Sequence, residues 1–162
     1  MLSGGTFLSV IIETDKFKVR NFIIEDTEKL ASWMSISKLD LFFLSSSMRY
    51  PVMSEDLRNY TESIDSETHK MFSVIFKNDE EHVGHFEIKN INIRHRIGTG
   101  AHIVLAPEHR KKNWGRDFVN LVSQTGFEIL NLERMSLSVH TVNLSAVAAY
   151  IRAGYRFEGT IR

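Results

Sequence analysis

The sequence predicts one α/β domain, a mixed sheet with helices packed on it. Three observations carry that prediction. Segments with strand periodicity alternate with segments of helical periodicity along the chain. Of 162 residues, 43% are hydrophobic and 25% charged, the balance of a folded domain with room for one core. No Gly/Ser-rich linker or internal repeat divides the chain, so residues 1–162 parse most simply as a single domain.

Each element follows from its own pattern. Leu8–Ile12 and Phe17–Phe22 read as strands around a turn at Thr14-Asp15. Asp26 can cap a helix whose apolar stripe is Leu30, Trp33 and Met34, and Ser54 can cap another with Leu57, Tyr60 and Ile64 on one face. Three strands follow: Phe72–Phe76, His82–Ile91 after the polar turn 78–81, and Ala101–Leu105. The longest helix is expected from Trp114 to Leu130, with Phe118, Leu121, Val122, Thr125 and Ile129 on one stripe. Met135–His140 alternates as a half-buried strand should. Asn143 caps a last helix that stops at Gly154, and Tyr155–Ile161 closes the sheet as a strand.

Composition excludes several function classes. Lys+Arg and Asp+Glu are both 20, so net charge steers the chain toward neither nucleic acid nor an anionic membrane. No cysteine is present, which removes disulfides, thiolate metal sites and cysteine nucleophiles together. His82 and His85 lie three apart on a strand and are expected on opposite faces, against a metal site. The start lacks a basic n-region and no apolar run approaches a membrane span, so a soluble, cytoplasmic protein is expected.

The most informative stretch runs from Val104 to Arg116. A strand ends at Pro107, a basic loop follows, and a helix starts near Trp114. Unpaired N–H groups and the positive dipole end of a helix start suit a diphosphate. Asn113 tolerates the left-handed conformation of an anion nest, and Gly115 allows close approach to the backbone. Arg110, Lys111, Lys112 and Arg116 supply countercharge. The plain alternative is a solvated basic turn.

This stretch resembles the cofactor loop of the GNAT N-acetyltransferase superfamily, Arg/Gln-x-x-Gly-x-Gly/Ala, here written Arg110-x-x-Asn113-x-Gly115. Asn143-x-x-Ala146-x-x-x-Tyr150-x-x-x-Gly154-Tyr155 resembles the ending of the same family. Ala106-Pro107-Glu108-His109, Phe127–Leu132 and Phe157-x-Gly159 are most similar to two branches, the ribosomal-protein N-terminal alanine acetyltransferases and the bacterial spermidine acetyltransferases. The resemblance implies a mostly antiparallel central sheet with flanking helices and acetyl-CoA as co-substrate. It implies that Asn143 and Tyr150 point into a gap where the central strands splay. Taken alone, Asn143 is a plain N-cap and Tyr150 a core aromatic.

Acyl transfer from a thioester needs a neutral amine, a polarised carbonyl and a proton for the leaving thiolate. Tyr150 is the candidate acid. Backbone N–H groups of Ile103, Val104 and Leu105 would hold the carbonyl and the pantetheine arm. The base is expected at Glu87 or His102, because the position where many relatives carry a glutamate falls near Gly100. Their ordinary alternatives are an exposed strand glutamate and a core histidine; alternation puts His102 on the face of Gly100 and Val104. Phe42, Phe43, Met48, Arg49 and Tyr50 occupy the family's variable lid segment, with core packing as the default reading.

A site poor in bases favours a peptide N-terminal α-amine, with a pKa of about 7.7–8.0, over an alkyl ammonium near about 10.4. The family's usual final strand is missing, which predicts a homodimer or swapped pair covering the edge at Tyr155–Ile161. A catalytically weak acetyl-CoA sensor, or an interaction module on the same fold, remains the alternative.

Overall fold

The computed structural model describes residues 8–34, 50–110 and 112–161. A six-stranded sheet runs in chain order: β1 (Val10–Glu13), β2 (Phe17–Asn21), β3 (Lys70–Phe76), β4 (Glu81–Asn92), β5 (Ile97–Leu105) and β6 (Arg134–Leu137). Neighbours pair antiparallel except β5 and β6, which are parallel. Among the described residues four α-helices accompany the sheet: α1 (Thr27–Met34), α2 (Ser54–Glu62), α3 (Gly115–Gln124) and α4 (Leu144–Arg152). Of the substrate-lid residues, Phe42, Phe43, Met48 and Arg49 lie outside the described residues, as does Lys111; Tyr50 is exposed.

Two apolar layers hold the sheet. On one face Phe17, Phe72, Phe86 and Ile88 pack with Trp114, Phe118, Leu121 and Val122 at the start and along α3. On the other, Leu30, Trp33 and Met34 of α1 and Leu57 of α2 pack with Val104 and Ala106. Gly84 lets α3 sit close: a Cβ there would lie 2.2 Å from the Phe118 ring and 2.9 Å from the Val104 carbonyl oxygen.

Several expected details change. Asp26 does not cap α1 with its side chain; it ends a 3₁₀ turn and its carboxylate turns back to accept from Arg20, Ser73 and the Ile23 N–H. The N-cap of α2 is Met53, whose N–H donates to Asp56 at 3.3 Å, so Ser54 is the first helical residue. The long helix widens into a π turn at Thr125–Ile129, which breaks the stripe: Thr125 is fully buried and Ile129 is exposed. Residues 155–161 form no strand, so the sheet edge expected along Tyr155–Ile161 is absent and β6 is the last strand. Phe157 and Ile161 are exposed. No helix among the described residues is long and apolar enough to cross a membrane.

Candidate active site

Two irregularities in the central strands shape the site. Opposite Val74/Ile75, β4 carries an extra residue, and this brings His82 and His85 to the same side of the sheet, contrary to simple alternation. His82 lies edge-on to Trp33 of α1 and 3.4 Å from Asp26, while His85 lies edge-on to Phe22. Opposite Phe86, β5 carries the extra residue, with His102 in the left-handed region at φ +44°. His102 therefore leaves the face of Gly100, which looks toward Leu137 and Val122. It joins Val104 on the α1–α2 side.

On that side a buried carboxylate gathers four donors. Glu87 is 2% exposed. Its Oε2 accepts from Tyr60 at 2.7 Å and meets His69 Nε2 at 2.6 Å and His102 Nδ1 at 2.9 Å. Its Oε1 meets His85 Nε2 at 3.1 Å. Burial alone would raise the carboxyl. The hydrogen bonds from His102, His69 and His85 outweigh it and hold Glu87 well below the usual range. Burial and the adjacent carboxylate push the Tyr60 phenol up. Glu87 is thus neither exposed nor isolated, and His102 is bonded to it. Tyr60, His69 and His85 were not singled out for this site from sequence. Tyr60 had counted as an apolar helix position, while His85 and Glu87 share a strand face at period two, the signal that could have found the pair.

The second part of the site is an open strand edge. Pairing of β5 with β6 runs from Ile97–Arg134 to Gly100–Leu137 and stops. Residues 101–105 thus have β4 on one side and no strand on the other among the described residues. This open edge lies where the resemblance implies a splayed gap, and Ile103, Val104 and Leu105 lie along it. Beyond it, Asn113 stands at φ +63°, the left-handed conformation expected of it, one residue ahead of Trp114, the N-cap of α3. Gly115 opens α3 beside α4, where its Cβ would meet only Ala149.

The basic loop differs in part from expectation. Arg110 donates from Nε to the Leu105 carbonyl at 3.0 Å and from Nη2 to the Trp33 carbonyl at 3.2 Å, so it ties the loop to the scaffold. The Trp114 indole is buried, stacked on His109 at 4.8 Å and packed edge-on to Phe17, so it belongs to the core. Lys112 Nζ sits 5.2 Å over that indole, and Arg116 is exposed. His109 Nε2 bonds Glu81 at 3.2 Å; with Glu108 these are the one trio among the described residues whose ligand atoms gather as a metal site would require.

Asn143 accepts from the Ala146 N–H at 3.3 Å, an N-cap as read from sequence. Tyr150 lies 6.3 Å from Tyr155 between ring centroids, and Tyr155 in turn contacts Ser123 of α3 at 3.0 Å. Burial, then Tyr155, push the Tyr150 phenol up to about 12.

Comparison with known proteins agrees with this geometry. The spermidine N(1)-acetyltransferase of Vibrio cholerae is 36% identical over 77 residues, 48% of this chain and 44% of that one. The chain spans about half the length of the curated relatives it matches. The crystal structure of a Vibrio cholerae spermidine N-acetyltransferase in complex with CoA and spermine superposes with a TM-score of 0.77 at 24% identity, covering 90% of this chain and 84% of that one. A dodecameric structure of the Vibrio cholerae protein gives 0.71 at 25% identity, covering 90% and 82%. Residues 13–155 match the acetyltransferase (GNAT) family, and with the splayed strands and the helix-start loop in place the chain belongs to that family, whose acyl donor is acetyl-CoA.

Proposed function

We propose that this protein transfers acetyl from acetyl-CoA to a primary amine of a polyamine. The observation that carries the acceptor is charge. Residues 54–67 hold five carboxylates (Glu55, Asp56, Glu62, Asp65, Glu67) against one arginine. That arginine, Arg58, faces Glu28 on α1 at 3.8 Å. The same segment delivers Tyr60 to Glu87, so an acidic rim borders the buried carboxylate. A multiply charged ammonium chain suits such a rim better than a peptide, which has one α-amine and a variable side-chain charge.

This reverses the preference for a peptide N-terminus, which rested on a shortage of bases. Glu87 and three imidazoles amend that shortage, and the named relatives are spermidine acetyltransferases. In this reading the 101–105 edge holds the pantetheine arm through backbone N–H groups. Asn113, Gly115 and the first turn of α3 face the diphosphate, with Lys111, Lys112 and Arg116 as countercharge. Tyr150 gives its proton to the leaving thiolate. A homo-oligomer larger than a dimer is the working assembly, since one relative is dodecameric.

The test is a turnover screen with acetyl-CoA against spermidine, spermine and a set of peptide N-termini, read as thiol release. Faster acetylation of spermidine or spermine supports the proposal. A peptide outrunning both polyamines overturns the acceptor. Binding of acetyl-CoA with no turnover of any amine returns the protein to a sensor.

A further inference from the structure

The imidazoles around Glu87 divide the work of the base in a way that neither candidate residue alone suggests. A carboxylate offers about four lone-pair positions. Here Tyr60, His69 and His102 converge on Oε2 and His85 meets Oε1, and the group is 2% exposed. With Oε2 ringed by three donors and the whole group buried, an ammonium arriving from solvent meets the partly exposed imidazoles before the carboxylate. Each imidazole directs one ring nitrogen at the carboxylate, so its other nitrogen carries the lone pair in the neutral form. That nitrogen is Nε2 in His102 and Nδ1 in His69. Their side chains keep 13% and 16% exposure, whereas His85 keeps 1%. His102 also sits at the bulge, next to the open edge Ile103–Leu105.

We propose that Glu87 is a positioning residue, and that His102 and His69, anchored on the same carboxylate oxygen, are the two proton acceptors that serve the acceptor amine. The inference rests on the amine-acetylation reading above. An alkyl ammonium must shed two protons to become an amide. His102 Nε2 takes the first, freeing the nitrogen lone pair to form the C–N bond at the thioester carbonyl. His69 accepts the second as the C–S bond breaks, while the departing sulfur takes the Tyr150 proton. One of the two protons shed returns to Tyr150 and the other leaves to solvent, so the net release is one. Around the pair stand Tyr60 from α2, His85 and Glu87 from β4, and the Phe22 ring behind His85. Glu87 stays ionised and stabilises each imidazolium as it forms, the part a carboxylate plays behind a catalytic histidine.

The left-handed backbone at His102 supplies a clean variant, because glycine adopts φ +44° without strain. His102→Gly should lower kcat about 10²–10⁴-fold, the range for a positioned base, with acetyl-CoA affinity by calorimetry unchanged, and added imidazole should restore part of the loss. Glu87→Gln should keep measurable turnover. It removes the charge that favours imidazolium, so the acid limb of the kcat/KM profile should move to lower pH. His69→Gln, which leaves His102 bonded to Glu87, should lower kcat without moving KM. Melting temperatures check that each variant is folded. If Glu87→Gln abolishes turnover while folded, Glu87 is the base and the proposal falls; if imidazole fails to rescue His102→Gly, His102 is no proton acceptor and the proposal falls likewise. An active wild type with either result overturns only this assignment, whereas a wild type that acetylates no amine overturns the acetylation reading with it.

Discussion

A Cβ placed on Gly115 would lie 3.3 Å from the Cβ of Ala149, so the first residue of α3 and the middle of α4 are in tight contact. The loop proposed above to face the diphosphate and the helix that carries Tyr150 thus meet at this contact. Gly115→Glu should block acetyl-CoA by bulk and charge, and Gly115→Ala should cost it little, since one methyl needs only a shift of a few tenths of an ångström. Calorimetric titration of both variants checks this. Wild-type affinity in Gly115→Glu would place the diphosphate elsewhere.

Tyr150→Phe removes a phenol proton that burial keeps in place up to about pH 12. Turnover should fall about 10²–10⁴-fold, with stability and acetyl-CoA affinity retained. Steady-state kinetics beside a melting curve separates this outcome from an equal loss of binding, which would make the hydroxyl a cofactor contact.

His82 makes folding sensitive to mild acid. Burial pushes its imidazole from near 6.5 down to about 4, against the pull of Asp26. A lowered histidine contributes stability in full above its unfolded value, and that stability drains away as pH falls from 6.5 toward 4. The shift corresponds to about 3 kcal/mol. Chemical denaturation across that window should show the loss, and His82→Asn should flatten the slope.

Below that window the carboxylates take over. Asp26, held low by Arg20 and Ser73 in spite of burial, and Glu87 each add stability present above the ordinary carboxylate range and lost beneath it. Asp26→Asn keeps the shape but strands the Arg20 guanidinium, which donates to both oxygens at 2.6 and 2.8 Å, so the variant should lower stability at neutral pH by about 3–5 kcal/mol. Urea unfolding at neutral pH measures it.

Gly84→Ala should destabilise by about 1–3 kcal/mol, because the new methyl meets the Phe118 ring on one side and a backbone carbonyl on the other. Phe118→Leu should relieve part of the clash in the double variant, which thermal melts of the set would show.

The order of strands and helices was legible because period and punctuation set it locally. Asn113 illustrates this at one residue: asparagine after a basic run predicts a left-handed turn, and φ is +63°. What sequence did not disclose were insertions of one residue into a ladder or a helix. The bulges of β4 and β5 and the π turn after Gln124 each reset a period, so His82, His102 and Ile129 face other ways than counting by twos or by 3.6 places them. The imidazole cluster needs one such reset, at His102, and brings His69 from before β3 beside Tyr60 of α2, neither of which leaves a local signature.

The bulge at His102 makes one strand serve two compartments. Even-numbered Gly98 and Gly100 before it look toward the α3 side, and even-numbered His102 and Val104 look toward α1 and α2, while Ile103 and Leu105 take the α3 side. The parity of β5 therefore sets which compartment its side chains enter: loss of Ile103 would abolish the bulge and make His102 and Val104 adjacent, so with Val104 kept in its layer His102 would turn away from Glu87.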